Sequence, residues 1–85
     1  MKYRSRTDII SQILQSANGG TTKTRIMYNA YLSYAQLKEY LAVLSESGLI
    51  EYLPEDRTYK TTTKGLSFIQ MYNKIGQLSD FVAAK

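Results

Sequence analysis

The hexapeptide Leu32-Ser33-Tyr34-Ala35-Gln36-Leu37 limits the folds open to this chain more than any other stretch. Ser33 and Gln36 stand at the spacing of a capping box, in which the serine oxygen accepts an amide of the first helical turn and the glutamine reaches back to the cap amide. Leu32 and Leu37 flank the box at the spacing of a hydrophobic staple, which sets the angle of chain entry. Two independent devices therefore start a helix at Ser33. Just upstream, Ile26, Met27 and Ala30 already share one helical face, and Thr21 or Thr22 is placed to cap it. Two helices must meet at a turn of very few residues.

The remaining segments build around that corner. From Thr7, a suitable N-cap followed by the dipole-favoured Asp8, apolar residues recur at Ile9, Ile10, Ile13, Leu14 and Ala17. Asn18-Gly19-Gly20 ends this first helix. In the third helix Leu37, Leu41 and Leu44 form the inward stripe, Tyr34 and Tyr40 flank it, and Gly48 is the stop. The segment LIEYLPEDRTYKTT then predicts a β-hairpin with strands over 49–53 and 58–62 around a four-residue turn. That loop length sets Tyr52 opposite Tyr59 and Glu51 opposite Lys60, an aromatic pair and a charge pair in one register.

From Thr63 a last helix runs almost to the end of the sequence. Phe68, Met71, Ile75, Leu78 and Val82 are spaced 3, 4, 3, 4, the seam of a coiled coil. Leu66, Ile69 and Tyr72 make a second apolar face near its start, suited to packing on the preceding domain.

Composition narrows the chemistry. The 85 residues contain no Cys and no His, which excludes disulfides, Cys/His zinc sites and catalysis by a Ser-His-Asp or Cys-His arrangement. No metal, cofactor or enzymatic activity is expected. Lys and Arg outnumber Asp and Glu by 11 to 7, a formal charge of +4 that favours polyanionic partners. The start, MKYRSRTDII, lacks the apolar run of a secretory signal, and nothing approaches a membrane span, so a cytoplasmic protein is expected.

Three helices with a tight second turn, then a hairpin, then a helix describe a mainly α fold with a small β-hairpin. This is a winged helix-turn-helix over residues 1–65, with a basic arm over 1–6, a wing over about 49–62, and a C-terminal dimerisation helix over 64–83. Such a domain places its third helix in the major groove of DNA and its wing on the flanking backbone.

The runs KTRIMYNAYLSYAQLKEYLAVLSESGLIEY and YKTTTKG further resemble the small archaeal winged-helix DNA-binding proteins. That group includes ten-kilodalton chromatin-associated proteins and related predicted transcriptional regulators. The resemblance covers roughly residues 7–75. It implies double-stranded DNA as partner, association with the nucleoid, and a homodimer formed through an antiparallel coiled coil of the C-terminal helix.

The residues expected at the DNA are Lys23, Thr24, Arg25, Tyr28, Ser33, Tyr34, Gln36, Lys38, Arg57 and Lys60. Lys23 and Arg25 lead because they lie in the first turn of the second helix, where the dipole disfavours cations. Ser33 and Gln36 serve as caps first and ligands second. Ala35, Lys38, Glu39 and Ala42 lie opposite the leucine stripe and carry one cation between them, which predicts low sequence specificity. Tyr34, Tyr40, Tyr52 and Tyr59 are read as core-edge or cross-strand packing rather than single-strand stacking. Dimerisation is assigned to Phe68, Met71, Ile75, Leu78 and Val82. A winged helix that docks a protein partner without binding DNA is the second reading.

Overall fold

The computed structural model describes the backbone of residues 4–83 and the side chains of residues 4–78. In chain order it contains α1 (Arg6–Ser16), α2 (Lys23–Asn29), α3 (Tyr34–Glu46), β1 (Ile50–Leu53), β2 (Thr58–Thr61) and α4 (Thr63–Ala83).

The capping box that starts α3 is formed in both directions. Ser33 Oγ accepts the Gln36 amide at 3.2 Å, and the Ser33 amide donates to Gln36 Oε1 at 3.0 Å. Leu32 and Leu37 of the staple are both buried. The preceding helix ends in a Schellman motif, with the Leu32 amide donating to the Met27 carbonyl at 3.1 Å and the Tyr31 amide to Tyr28 at 3.3 Å. This closure places Tyr31 at φ +54°, in the left-handed region usually taken by glycine. The end of α3 uses the same closure with the expected residue: Leu49 donates to Leu44, Gly48 donates to Ser45, and Gly48 sits at φ +74°.

The cap of α1 differs from the expectation of Thr7. Ser5 is the N-cap, its hydroxyl accepting the Asp8 amide while its own amide donates to Asp8 Oδ2, both at 3.0 Å. A reciprocal box satisfies two orphan amides where a lone Thr7 would satisfy one, so the helix begins earlier. Arg6 of the expected basic arm thus belongs to α1, and residues 1–3 of that arm fall outside the described residues. Arg4 folds back, its guanidinium donating to Gln12 Oε1 and to the carbonyls of Ala30 and Tyr31. It thereby caps the carbonyl end of α2, where a cation complements the helix dipole.

The core lies where α1, α2, α3 and β1 meet. Ile13, Leu14 and Ala17 pack with Ile26, Ala30, Leu32, the leucine stripe Leu37, Leu41 and Leu44, and Ile50. The strands pair antiparallel in the expected register, Tyr52 with Tyr59 and Glu51 with Lys60, and the two tyrosine rings lie 4.9 Å apart at 49°. Each strand is one residue shorter than expected. Leu49 closes α3, and Thr62 caps α4, its Oγ1 accepting the Gly65 amide at 3.1 Å and donating to the Gly48 carbonyl at 2.6 Å. Thr21, in the α1–α2 connection, adds a bridge to Tyr59 through paired backbone bonds of 2.9 and 2.8 Å. Buried Thr61 fastens the hairpin to α1 by donating to the Leu14 carbonyl at 2.6 Å.

The rotation of α4 is set by Gly65. A Cβ there would lie 2.2 Å from the Leu49 carbonyl oxygen, so only glycine lets the helix approach so closely. The residues on its face at helical spacing are Phe68, Ile69 and Tyr72. Phe68 and Ile69 pack against the core, and the Tyr72 hydroxyl donates to Asp8 Oδ1. Phe68 is therefore engaged by its own domain rather than reserved for the seam, and Leu66, expected on the inward face, is exposed. The hydrogen bond from Tyr72, then the Ser5 amide and hydroxyl, hold the Asp8 carboxyl below its ordinary pKa, while the bond to Asp8 pushes the Tyr72 hydroxyl up. Met71, Ile75 and Leu78 lie exposed along one side of the helix. Val82 falls outside the described side chains.

Candidate nucleic-acid interface

Two adjoining grooves open between α2, α3 and the wing. Lys23, Tyr34, Lys38, Ala42, Ser45 and Tyr59 line the first, together with the edge of Leu41. Thr22, Lys23, Thr24, Tyr52, Arg57 and Tyr59 line the second. Lys23 and Tyr59 belong to both, so Lys23 stands at the junction of helix-turn-helix and wing.

Local structure explains how each side chain arrives there. Thr22 caps α2, its Oγ1 accepting the Arg25 amide at 3.3 Å, and this cap puts Lys23 in the first helical position. Lys23 Nζ then lies 5.0 Å from the centroid of the Tyr34 ring, a cation–π contact joining the start of α2 to the start of α3. Lys38 follows Tyr34 one turn along α3. Arg57 enters from the wing at φ +54°, the left-handed residue that closes the 54–57 turn.

Of the ten expected residues, the folding brings Lys23, Thr24, Tyr34, Lys38 and Arg57 to these grooves. Arg25 and Tyr28 are exposed on the outer surface of α2 and line neither. Ser33 and Gln36 are engaged with each other in the capping box, although both stay exposed. Lys60 is exposed on β2 with Glu51 as its cross-strand partner. Tyr34 departs from the packing role expected of it: it is 53% exposed, with the lysine over its ring. Tyr52 is 47% exposed although paired with Tyr59.

Tyr59 is the residue that sequence reasoning undervalued. Its backbone bridge to Thr21 draws the wing against α2, and its side chain forms a wall common to both grooves. Thr21 carries no strand pattern of its own, so nothing local announces the bridge. Lys64, by contrast, is engaged within the fold, its ammonium donating to the Ser47 carbonyl at 2.7 Å at the end of α3. Among the described residues no group of acidic side chains is arranged to hold a metal, and no helix is long and apolar enough to cross a membrane.

A helix-turn-helix followed by a two-stranded wing defines the winged helix-turn-helix class. The sequence matches the model of the winged helix-turn-helix family over residues 3–80, and the chain belongs to that family. Among solved structures it is similar to Sso10a-2, a DNA-binding protein from Sulfolobus solfataricus, with a TM-score of 0.84 and 22% identity. The match covers 95% of this chain and 87% of Sso10a-2. No curated protein matches the sequence.

Proposed function

We propose that this protein binds double-stranded DNA through the α2–α3–wing surface, with low to moderate sequence specificity, as a homodimer of regulatory or chromatin type. The observation that carries the reading is Lys23, a cation at the junction of two grooves, with Lys38 on the α3 side and Arg57 on the wing side. Cations from three elements thus line two adjoining grooves, a supply of charge suited to positioning on phosphates. Membership of the family and likeness to a DNA-binding protein support the same partner. Thr24 lines the wing groove, and Arg25, Tyr28 and Lys60 extend the surface at its margins. Exposed Glu39 and Val43 on α3 leave little donor chemistry for base edges, so affinity comes chiefly from the backbone and from counterion release.

Dimerisation is assigned to Met71, Ile75 and Leu78, which are 64%, 59% and 62% exposed on one side of α4. Apolar side chains in that pattern are stabilised by a second copy, and an antiparallel pairing of α4 would cover them. The same exposed face also favours the second reading, a winged helix that docks a different protein.

Duplex titration across a salt series tests the proposal. The wild-type chain is expected to bind with an affinity that falls linearly in log–log form, by about 0.9 per phosphate neutralised. Changing Lys23 and Arg25 together to alanine should lower both affinity and slope. Salt-insensitive binding, or none at low salt, overturns the function. An unchanged slope in the double variant overturns the site.

A further inference from the structure

Among the described residues, the most exposed large hydrophobic side chains lie outside the grooves described above. Tyr28 is 71% exposed and Tyr31 81%, and they bracket the corner between α2 and α3. Tyr31 is held at φ +54°, where a side chain is disfavoured by about 1 kcal/mol or more and glycine is not. The turn is nevertheless fixed there by two amide bonds from within and by the Arg4 guanidinium, which donates to the carbonyls of Ala30 and Tyr31 from behind. A strained backbone, clamped on its inner side, thus presents an aromatic ring outward. Arg25 precedes Tyr28 by three positions, so the two are neighbours on the outer surface of α2.

We propose that Tyr28 and Tyr31 form a stacking platform for single-stranded nucleic acid, with Arg25 supplying the phosphate contact. The chemistry separates this from duplex binding. Bases within a duplex have their faces covered by their neighbours and offer an approaching ring only edges and phosphates. An unpaired strand offers free faces, and each base stacked on an aromatic side chain contributes about 1–3 kcal/mol regardless of its identity. The adjacent cation and the net charge of +4 select a polyanion over an apolar protein surface. Both activities can coexist, because Lys23 and Tyr34 serve the duplex grooves while Tyr28 and Tyr31 lie at the corner.

The test measures labelled oligothymidylate and a labelled duplex in parallel, in the same low-salt buffer. Tyr28→Ala and Tyr31→Gly should each weaken oligothymidylate binding by roughly 5- to 150-fold. Duplex affinity of Tyr31→Gly should stay within about twofold, as its ring lies in neither duplex groove. Tyr31→Gly relieves the backbone strain, so lost folding cannot account for its effect. Tyr28→Phe and Tyr31→Phe should bind oligothymidylate like wild type, since stacking needs the ring and not the hydroxyl. The proposal is overturned if oligothymidylate does not bind, if the alanine and glycine variants bind it unchanged, or if the phenylalanine variants lose it equally. Failure of the duplex arm alone would count against the DNA-binding reading and leave this one standing.

Discussion

Lys23 Nζ sits 5.0 Å over the ring of Tyr34, tying the first turn of α2 to the first turn of α3 across the helix-turn-helix. The contact gives the two residues separable roles at the proposed interface. Lys23 brings the charge, and Tyr34 holds it in place. An exposed cation–π pair contributes about 0.5–1 kcal/mol. Tyr34→Leu should therefore weaken duplex binding by roughly two- to fivefold with an unchanged salt slope, and Tyr34→Phe should bind like wild type. A slope reduced by a full phosphate in Tyr34→Leu would show that the tyrosine itself meets the backbone.

Gly65 and Gly76 lie on the same helix and should respond in opposite ways to alanine. At Gly65 the new Cβ would collide with the Leu49 carbonyl, a backbone atom that cannot yield without moving the start of β1. Gly65→Ala is expected to lose about 3 kcal/mol or fail to fold. At Gly76 nothing lies within 4 Å, and Gly76→Ala should gain up to about 1 kcal/mol of helix propensity. Urea denaturation of the two variants checks both signs.

Tyr31 and Gly48 occupy the same position in two Schellman motifs, at φ +54° and +74°. Tyr31→Gly should raise stability by up to about 1 kcal/mol, and Gly48→Ala should lower it by a similar amount. Arg4→Ala, which removes the clamp on Ala30 and Tyr31, should speed hydrogen exchange at the Leu32 amide. Adding Tyr31→Gly to Arg4→Ala should slow it again, because the relaxed turn needs less holding. No recovery in the double variant would mean that Arg4 acts elsewhere.

The Tyr72–Asp8 hydrogen bond predicts stability limits at both ends of the pH scale. Asp8 is depressed in the folded state, so its contribution is present above the unfolded carboxyl value near ~4 and is lost as pH falls through the lower folded value. Tyr72 is raised, so its contribution is full below roughly pH 10 and is lost as pH rises through the higher folded value. Tyr72→Phe should abolish the alkaline limb and reduce the acid limb, leaving the part that Ser5 supplies. Thermal melts from pH 2 to 11 (roughly the span these groups titrate over) measure both limbs. An unaltered profile in Tyr72→Phe would contradict the bond.

Self-association should depend on the exposed side of α4 and not on its inner face. Replacing Met71, Ile75 and Leu78 together with polar residues should yield a monomer in sedimentation while the domain still melts cooperatively. A wild-type chain that remains monomeric at high concentration would transfer this face to a different partner.

The start of α3 was legible in the residues themselves because a capping box and a staple act within one helical turn and need no distant neighbour. The hairpin register was legible for a similar reason, since loop length alone sets which residues face each other across a pair of strands. Signals of this kind are short in range, and they determined the order of elements, the leucine stripe and the placing of Lys23 at the helix-turn-helix.

What the tertiary structure decided lies in contacts between residues far apart in the chain. Arg4 reaches Ala30 and Tyr31, Thr21 bridges Tyr59, and Gly65 meets the Leu49 carbonyl. None of these partners carries a local pattern that names the other. The rotation of α4 shows the consequence: periodicity permitted Leu66 or Phe68 to face inward, and the close approach at Gly65 chose Phe68. The partner of Tyr34 was settled in the same way, by a lysine eleven positions upstream that folding placed over its ring. Sequence determines which faces a helix has to offer, whereas close packing against the rest of the chain determines which of them is used.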